Sequence, residues 1–137
     1  MYLLINSQKE SQEILSLYND QGKVDFMEME VDVGFSEQLL IKIDELLKKN
    51  NLSLTDLKVI AINTVNNTFS SLRTAVATTN IIGYCFKMPV VSFKAGNALN
   101  FDTEIVEFFQ KKCGQPFEVL FPQYDHEPNI TQAKKIN

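Results

Sequence analysis

A chain of 137 residues with 45% apolar and 22% charged side chains is long enough for one domain with a real core and too short for two ordinary ones. A net charge of -4 and a pI near 5.0 argue against a protein that grips nucleic acid through its own surface, because phosphate binding depends on clustered Lys and Arg. The two cysteines, Cys85 and Cys113, match neither a metal nor a CxxC redox spacing; with no signal-peptide layout and no apolar run near ~20 residues, the expectation is a soluble, cytoplasmic protein.

In chain order, Tyr2 to Ile5 reads as a short apolar strand, and Asn6 to Ser11 as a polar turn leading to a second strand around Glu13 to Tyr18. Asn19-Asp20-Gln21-Gly22 is a hairpin signal. A third strand follows from Lys23 to about Val31, with Val24, Phe26, Met27, Met29 and Val31 in rough alternation with Asp25, Glu28 and Glu30. Ser36 is placed to cap the next helix, with Glu37 where the helix dipole favours an acid. That helix runs from Glu37 to about Lys49, and Leu39, Leu40, Ile43, Leu46 and Leu47 fall on one side at helical spacing. Ile41 falls outside the stripe, either as an isolated exposed residue or as the edge of a partner surface.

Leu52 to Leu57 is a connector with a short turn. Val59-Ile60-Ala61-Ile62-Asn63 is then a central strand, apolar on both faces as a strand covered on two sides must be. After a glycine-free loop of turn formers, a helix from Thr68 carries small residues, Ala75, Ala77, Thr78 and Thr79, that let another backbone come close. Gly83 is its expected stop, with Asn80 to Phe86 as the alternative extra turn. Met88 to Phe93 is a strand with Pro89 at its entry, and Ala95 to Leu99 a short helical turn. Asp102 or Thr103 caps a helix from Glu104 to about Cys113, closed by Gly114 and buried through Ile105, Val106, Phe108 and Phe109. Phe117 to Phe121 is a last strand. Residues 1–121 then form the single domain, and 122–137 a polar tail. Lys48-Lys49 and Lys111-Lys112 sit at predicted helix ends, where the dipole favours cations, and Lys134-Lys135 lies in the tail.

The order β-β-β-α-β-α-β-α-β predicts an α/β fold of ribonuclease H-like topology, a mixed sheet flanked by helices, which also builds each half of actin-like and sugar-kinase-like ATPases. Fold alone does not give function. A nuclease of this fold needs several carboxylates converging at strand ends to hold two metals, yet the first strand ends in the neutral Asn6. A nucleotide enzyme wants an acid after strand one and glycines whose N–H groups cradle phosphate, and neither Asn6-Ser7-Gln8 nor Val65-Asn66-Asn67 supplies them. The sole histidine, His126, lies in the polar tail, a poor place for a triad, a dyad or a zinc ligand. No catalytic residue, metal ligand or cofactor is therefore expected.

Three segments resemble the bacterial TsaB (YeaZ) family. Ser36-Glu37-Gln38-Leu39-Leu40-Ile41-Lys42-Ile43-Asp44-Glu45-Leu46-Leu47 is similar to that family's first helix, S-E-x-L-L-x-x-I-D-x-L-L. Ile62-Asn63 through Thr68-Phe69-Ser70-Ser71-Leu72-Arg73-Thr74-Ala75-Val76-Ala77-Thr78 is similar to the signature G-P-G-S-F-T-G-L-R-x-G-x-A-x-A, with Phe69, Leu72, Arg73 and Ala77 coinciding. Phe121-Pro122-Gln123-Tyr124-Asp125-His126-Glu127-Pro128-Asn129-Ile130-Thr131 is similar to the P-x-Y-x-R-x-P segment near the family's C-terminus. The departures are Val65, Asn67 and Ser71 for the three loop glycines, Asn6 for an Asp after strand one, His126 for an Arg, and a second lobe that is missing or shrunk.

The resemblance implies a non-catalytic subunit that binds a related catalytic subunit, TsaD, and acts with the ATPase TsaE in threonylcarbamoyladenosine modification of tRNA. It also implies that tRNA is met only through the complex, with no membrane involved. The family's contact with TsaD, or with a second copy, uses the first two helices. Carried over, this marks Leu39, Leu40, Ile41, Ile43, Leu47, Phe69, Leu72, Arg73, Val76 and Thr79 as a candidate partner interface. The same apolar side chains also serve to cover the sheet, and Arg73 is equally suited to an ion pair with an acid of the first three strands. The competing expectations are a stand-alone peptidase- or phosphotransferase-type enzyme, or a homodimeric interaction protein with no tRNA role.

Overall fold

The computed structural model describes residues 1–6, 13–29, 35–64, 69–94 and 101–122. The chain runs β1 (Tyr2–Ile5), β2 (Glu13–Asn19), β3 (Gly22–Glu28), α1 (Phe35–Lys49), a 3-10 turn (Leu54–Asp56), β4 (Val59–Asn63), α2 (Phe69–Phe86), β5 (Val90–Phe93) and α3 (Phe101–Lys112). The five strands make one sheet in the order β3-β2-β1-β4-β5. β1 to β3 are antiparallel neighbours, and β4 and β5 add in parallel through helical crossovers. This is the ribonuclease H-like arrangement expected from the order of elements.

β1 and β4 sit at the centre and every residue of both is buried. Because successive side chains point to opposite faces, one strand feeds two cores. Leu3, Ile5, Ile60 and Ile62 join Leu15, Leu17 and the aliphatic stripes of α1 and α2 on one face. Tyr2, Leu4, Val59 and Ala61 join Tyr18, Phe93 and the α3 residues Ile105, Val106 and Phe109 on the other. The β2–β3 hairpin turns where expected, with Gly22 at φ 137 and the Gln21 N–H donating to Asn19 Oδ1 at 2.8 Å.

Element ends depart from expectation for identifiable reasons. β3 stops at Glu28, and 30–34 lie outside the described residues. α1 begins at Phe35, so Ser36 is inside the first turn and is not the cap; Phe35 is buried and anchors that turn in the core. At the other end Asn51 takes φ 58, and the Leu52 N–H reaches back to the Leu47 carbonyl at 2.8 Å, a left-handed cap that satisfies a free carbonyl. α2 does not stop at Gly83. It continues to Phe86, and Lys87 adopts φ 55 in glycine's usual place while the Met88 N–H bonds the Gly83 carbonyl at 3.1 Å. Gly83 serves packing instead: a Cβ there would lie 2.5 Å from Val90 Cγ2 and 2.7 Å from Phe117 Cδ1.

α3 begins at Phe101, which puts Asp102 and Thr103 inside the helix rather than at its cap. Gly114 closes it at φ 88 as expected. The expected strand from Phe117 to Phe121 does not form. Its backbone instead meets a side chain: Asn80 Nδ2 donates to the Leu120 carbonyl and the Leu120 N–H donates to Asn80 Oδ1, each at 2.9 Å. One amide thus imitates the pairing a neighbouring strand would offer, and that is enough to hold Leu120 and Phe117 against the α1/α2 core. The expected turn at Ala95 to Leu99, and the tail beyond Pro122, lie outside the described residues.

Candidate protein interface

The C-terminal edge of the parallel strands is where this topology gathers ligand-binding groups. β1 and β4 deliver Asn6 and Asn63 there, and Asn63 Nδ2 donates to Asn6 Oδ1 at 2.9 Å. Asn63 and Thr64 are buried, and the Thr64 N–H donates to the Phe93 carbonyl at 3.1 Å, continuing the β4–β5 pairing. Two neutral amides tie adjacent strand ends together and bring no charge to balance a divalent cation. Among the described residues no group of three or more His, Cys, Asp or Glu converges as a ligand set. Cys85 and Cys113 are free and exposed. His126 and the loop 65–68 lie outside the described residues.

Acids do gather elsewhere. A cleft of about 310 Å³ between the hairpin turn and α3 is lined by Asp20, Asp102, Thr103, Glu107 and Gln110. Two of these carboxylates already serve buried tyrosines. The Tyr2 hydroxyl donates to Asp20 at 2.6 Å, the Tyr18 hydroxyl to Asp102 at 3.0 Å, and Gln110 Nε2 to Asp20 at 3.3 Å. Burial, with the Asp20 bond second, pushes the Tyr2 phenol up to about 12. The Tyr2 and Gln110 hydrogen bonds hold the Asp20 carboxyl below its ordinary value. This cleft was not among the expectations, although Tyr2 and Tyr18, on strands that head into the core, signal it, since a buried hydroxyl needs a partner.

The ten residues marked on the first two helices divide by exposure. Leu39, Ile43 and Leu47 of α1, with Leu72 and Val76 of α2, are buried in the aliphatic core. Thr79 is fully buried and bonds back to the Ala75 carbonyl at 2.8 Å, a local bond that satisfies its hydroxyl inside the helix. These six spend their surface within the chain, because a sheet face five strands wide needs both stripes to cover it. Leu40 and Ile41 stay outside at 50% exposure each, and Arg73 is exposed. Among the described residues no ion pair holds Arg73. The Phe69 side chain is outside the description.

α1 and α2 pack side by side on one face of the sheet. Both start from the C-terminal edge of the parallel strands, after β3 and β4, and run to the opposite edge. Their first turns therefore share one end of the molecule. In the turns that follow, Leu40 and Ile41 on α1, and Arg73 and Ala77 on α2, are exposed.

No family model matches the chain, and no curated protein matches it in sequence. Solved structures do. It is similar to YeaZ from Pseudomonas aeruginosa at 17% identity and a TM-score of 0.53, over 68% of this chain and 42% of that one. It is also similar to an uncharacterized protein with similarity to peptidase YEAZ from Pseudomonas aeruginosa, at 17% identity and a TM-score of 0.54, over 69% of this chain and 44% of that one. The likeness is one of fold. The chain spans less than half the length of either structure. No helix among the described residues is long and apolar enough to cross a membrane.

Proposed function

We propose that the chain is a TsaB-type, non-catalytic subunit that binds and supports a TsaD-like catalytic subunit, with a TsaE-like ATPase, in threonylcarbamoyladenosine modification of tRNA. The observation that carries the reading is the α1–α2 face of a YeaZ-like fold. Buried stripes lock the two helices together, while Leu40 and Ile41 remain half exposed on α1 and Arg73 exposed on α2. A partner helix pair laid across these turns would bury the two aliphatic side chains and meet the guanidinium, a residue type enriched where interfaces concentrate their energy. The Asn6–Asn63 pair supports a chain that leaves chemistry to its partner.

Isolation of the tagged protein from its native cell, followed by mass spectrometry of what accompanies it, tests the reading. The expected result is a TsaD-like protein that is recovered with the wild type and lost with Leu40→Glu/Ile41→Glu or Arg73→Glu. A second copy bound through the same helices without any TsaD-like protein would favour a homodimer with no tRNA role. A monomer with hydrolase or phosphotransfer activity of its own would sink the proposal in favour of the enzyme reading, which the similarity of one structural neighbour to peptidase YEAZ favours.

A further inference from the structure

The extended stretch that follows α3 is laid along α2 in a fixed direction. Phe117 meets the Tyr84 ring edge-on, with centroids 6.3 Å apart, and a Cβ on Gly83 would lie 2.7 Å from its ring. Further on, the backbone of Leu120 exchanges two hydrogen bonds of 2.9 Å with the Asn80 side chain. The stretch therefore runs antiparallel to the helix, from Tyr84 back to Asn80, and the next positions of α2 on that line are Ala77 and Arg73. Positions 73, 77, 80 and 84 follow the i, i+4, i+7, i+11 spacing that keeps side chains on one side of a helix. Where the stretch covers this stripe Asn80 is half-buried; ahead of it Ala77 and Arg73 are exposed. We propose that residues 123–127 continue along the stripe, pass over Ala77 and set the Asp125 and Glu127 carboxylates on the Arg73 guanidinium, so that the chain's own C-terminal segment covers Arg73 in the free protein.

Reach, charge and chain stiffness favour this occupant. From Asn80 to Arg73 the helix advances ~10 Å at ~1.5 Å per residue, and an extended chain from Leu120 to Asp125 covers up to ~17 Å at ~3.3 Å per residue. The surplus suits an oblique course: between Phe117 and Leu120 the chain travels ~10 Å while α2 advances only ~5 Å from Gly83 to Asn80. The same obliquity, continued, brings residues 125–127 level with Arg73. Asp125 and Glu127 are the acids of residues 123–137, and among the described residues no ion pair holds Arg73. Tethered at Leu120, they meet it at a high effective concentration, so a pair of modest intrinsic strength forms. Pro122 and Pro128 each bias the residue before them toward extended backbone, which keeps both ends of this short segment straight. Ala77 presents only a methyl group, so a backbone can pass close over it. A partner that uses Arg73 would have to lift the segment first, a competition that alone rests on the preceding reading.

Digestion of the full chain with a broad-specificity protease, with the cuts located by mass spectrometry, tests the docking. Cleavage within residues 123–130 should be about three- to fivefold faster in Arg73→Glu than in the wild type, with the far-UV circular dichroism unchanged because Arg73 is exposed. Asp125→Arg/Glu127→Arg should accelerate it likewise, and combining both changes should restore the slow rate, a rescue no unfolding effect would imitate. Lys87→Glu, the same change of charge at an exposed site off this path, should leave the rate as it is. A wild-type segment cut as fast as that of Arg73→Glu, or a charge reversal without rescue, would overturn the proposal. So would protection that grows with protein concentration, because it would give the acids to Arg73 of another molecule. No partner is present in these digests, so this inference and the preceding one fail separately. The competition is read by capture of the TsaD-like protein, which should rise about threefold with Asp125→Asn/Glu127→Gln; unchanged capture would overturn it.

Discussion

The two faces of the sheet solve the same covering problem with different chemistry. On one, two helices supply Leu39, Ile43, Leu46, Leu47, Leu72 and Val76 against Leu3, Ile5, Ile60 and Ile62, and the buried Thr79 hydroxyl bonds back within its own helix. On the other, α3 alone must cover the strands, and it does so with rings: Phe109 stacks on Tyr2 with centroids 4.9 Å apart and meets Tyr18 at 5.9 Å. Phe108 meets Phe93 at 4.9 Å. Rings reach further than aliphatic side chains, so one helix suffices. The cost is two buried hydroxyls, and Asp20 and Asp102 are placed at the rim to receive them. Acidity in that cleft is thus explained by the packing of one face.

The comparison is broken most directly at its single-helix side. Phe109 is fully buried and has no second helix to share its load, so Phe109→Ala should cost about 3–5 kcal/mol by urea unfolding. On the two-helix side the corresponding weak point is closeness rather than bulk. Gly83→Ala should destabilise by about 1–3 kcal/mol, because the new Cβ would meet Val90 and Phe117 inside contact distance. Phe117 is the softer neighbour, so increased amide exchange over 115–121 is the accompanying readout. Asn80→Ala removes both hydrogen bonds to Leu120 and should raise exchange of the Leu120 amide at a global cost of about 1–2 kcal/mol.

The smallest effect discriminates the faces by pH. Tyr2→Phe should cost about 0.5–1.5 kcal/mol at neutral pH. The folded phenol titrates at about 12 against an ordinary value of ~10. Its contribution is therefore complete below ~10 and lost as pH rises toward about 12. Unfolding monitored between those limits should show this loss in the wild type and not in Tyr2→Phe. On the acid side, Asp20, and Asp25 through its bond from Asn50, have depressed carboxyls. Each contributes above the ordinary ~3.9 and loses that contribution as pH falls through its folded value.

Much of this was legible in the chain itself. The apolar runs at Tyr2 to Ile5 and Val59 to Asn63, the Asn19 to Gly22 turn and the leucine stripe of α1 are local patterns, and local patterns determined the element order and with it the ribonuclease H-like topology. Tertiary structure decided the rest. Which of the ten marked residues face outward followed from how much of the sheet α1 and α2 had to cover, a quantity no helical spacing reveals. Gly83 reads as a helix stop by propensity, but close packing against Val90 and Phe117 gave it a different task and passed the left-handed cap to Lys87. Phe117 to Phe121 has the pattern of a strand, and it remained unpaired with the sheet because a strand exists only where another backbone lies beside it. Here what lies beside it is the amide of Asn80.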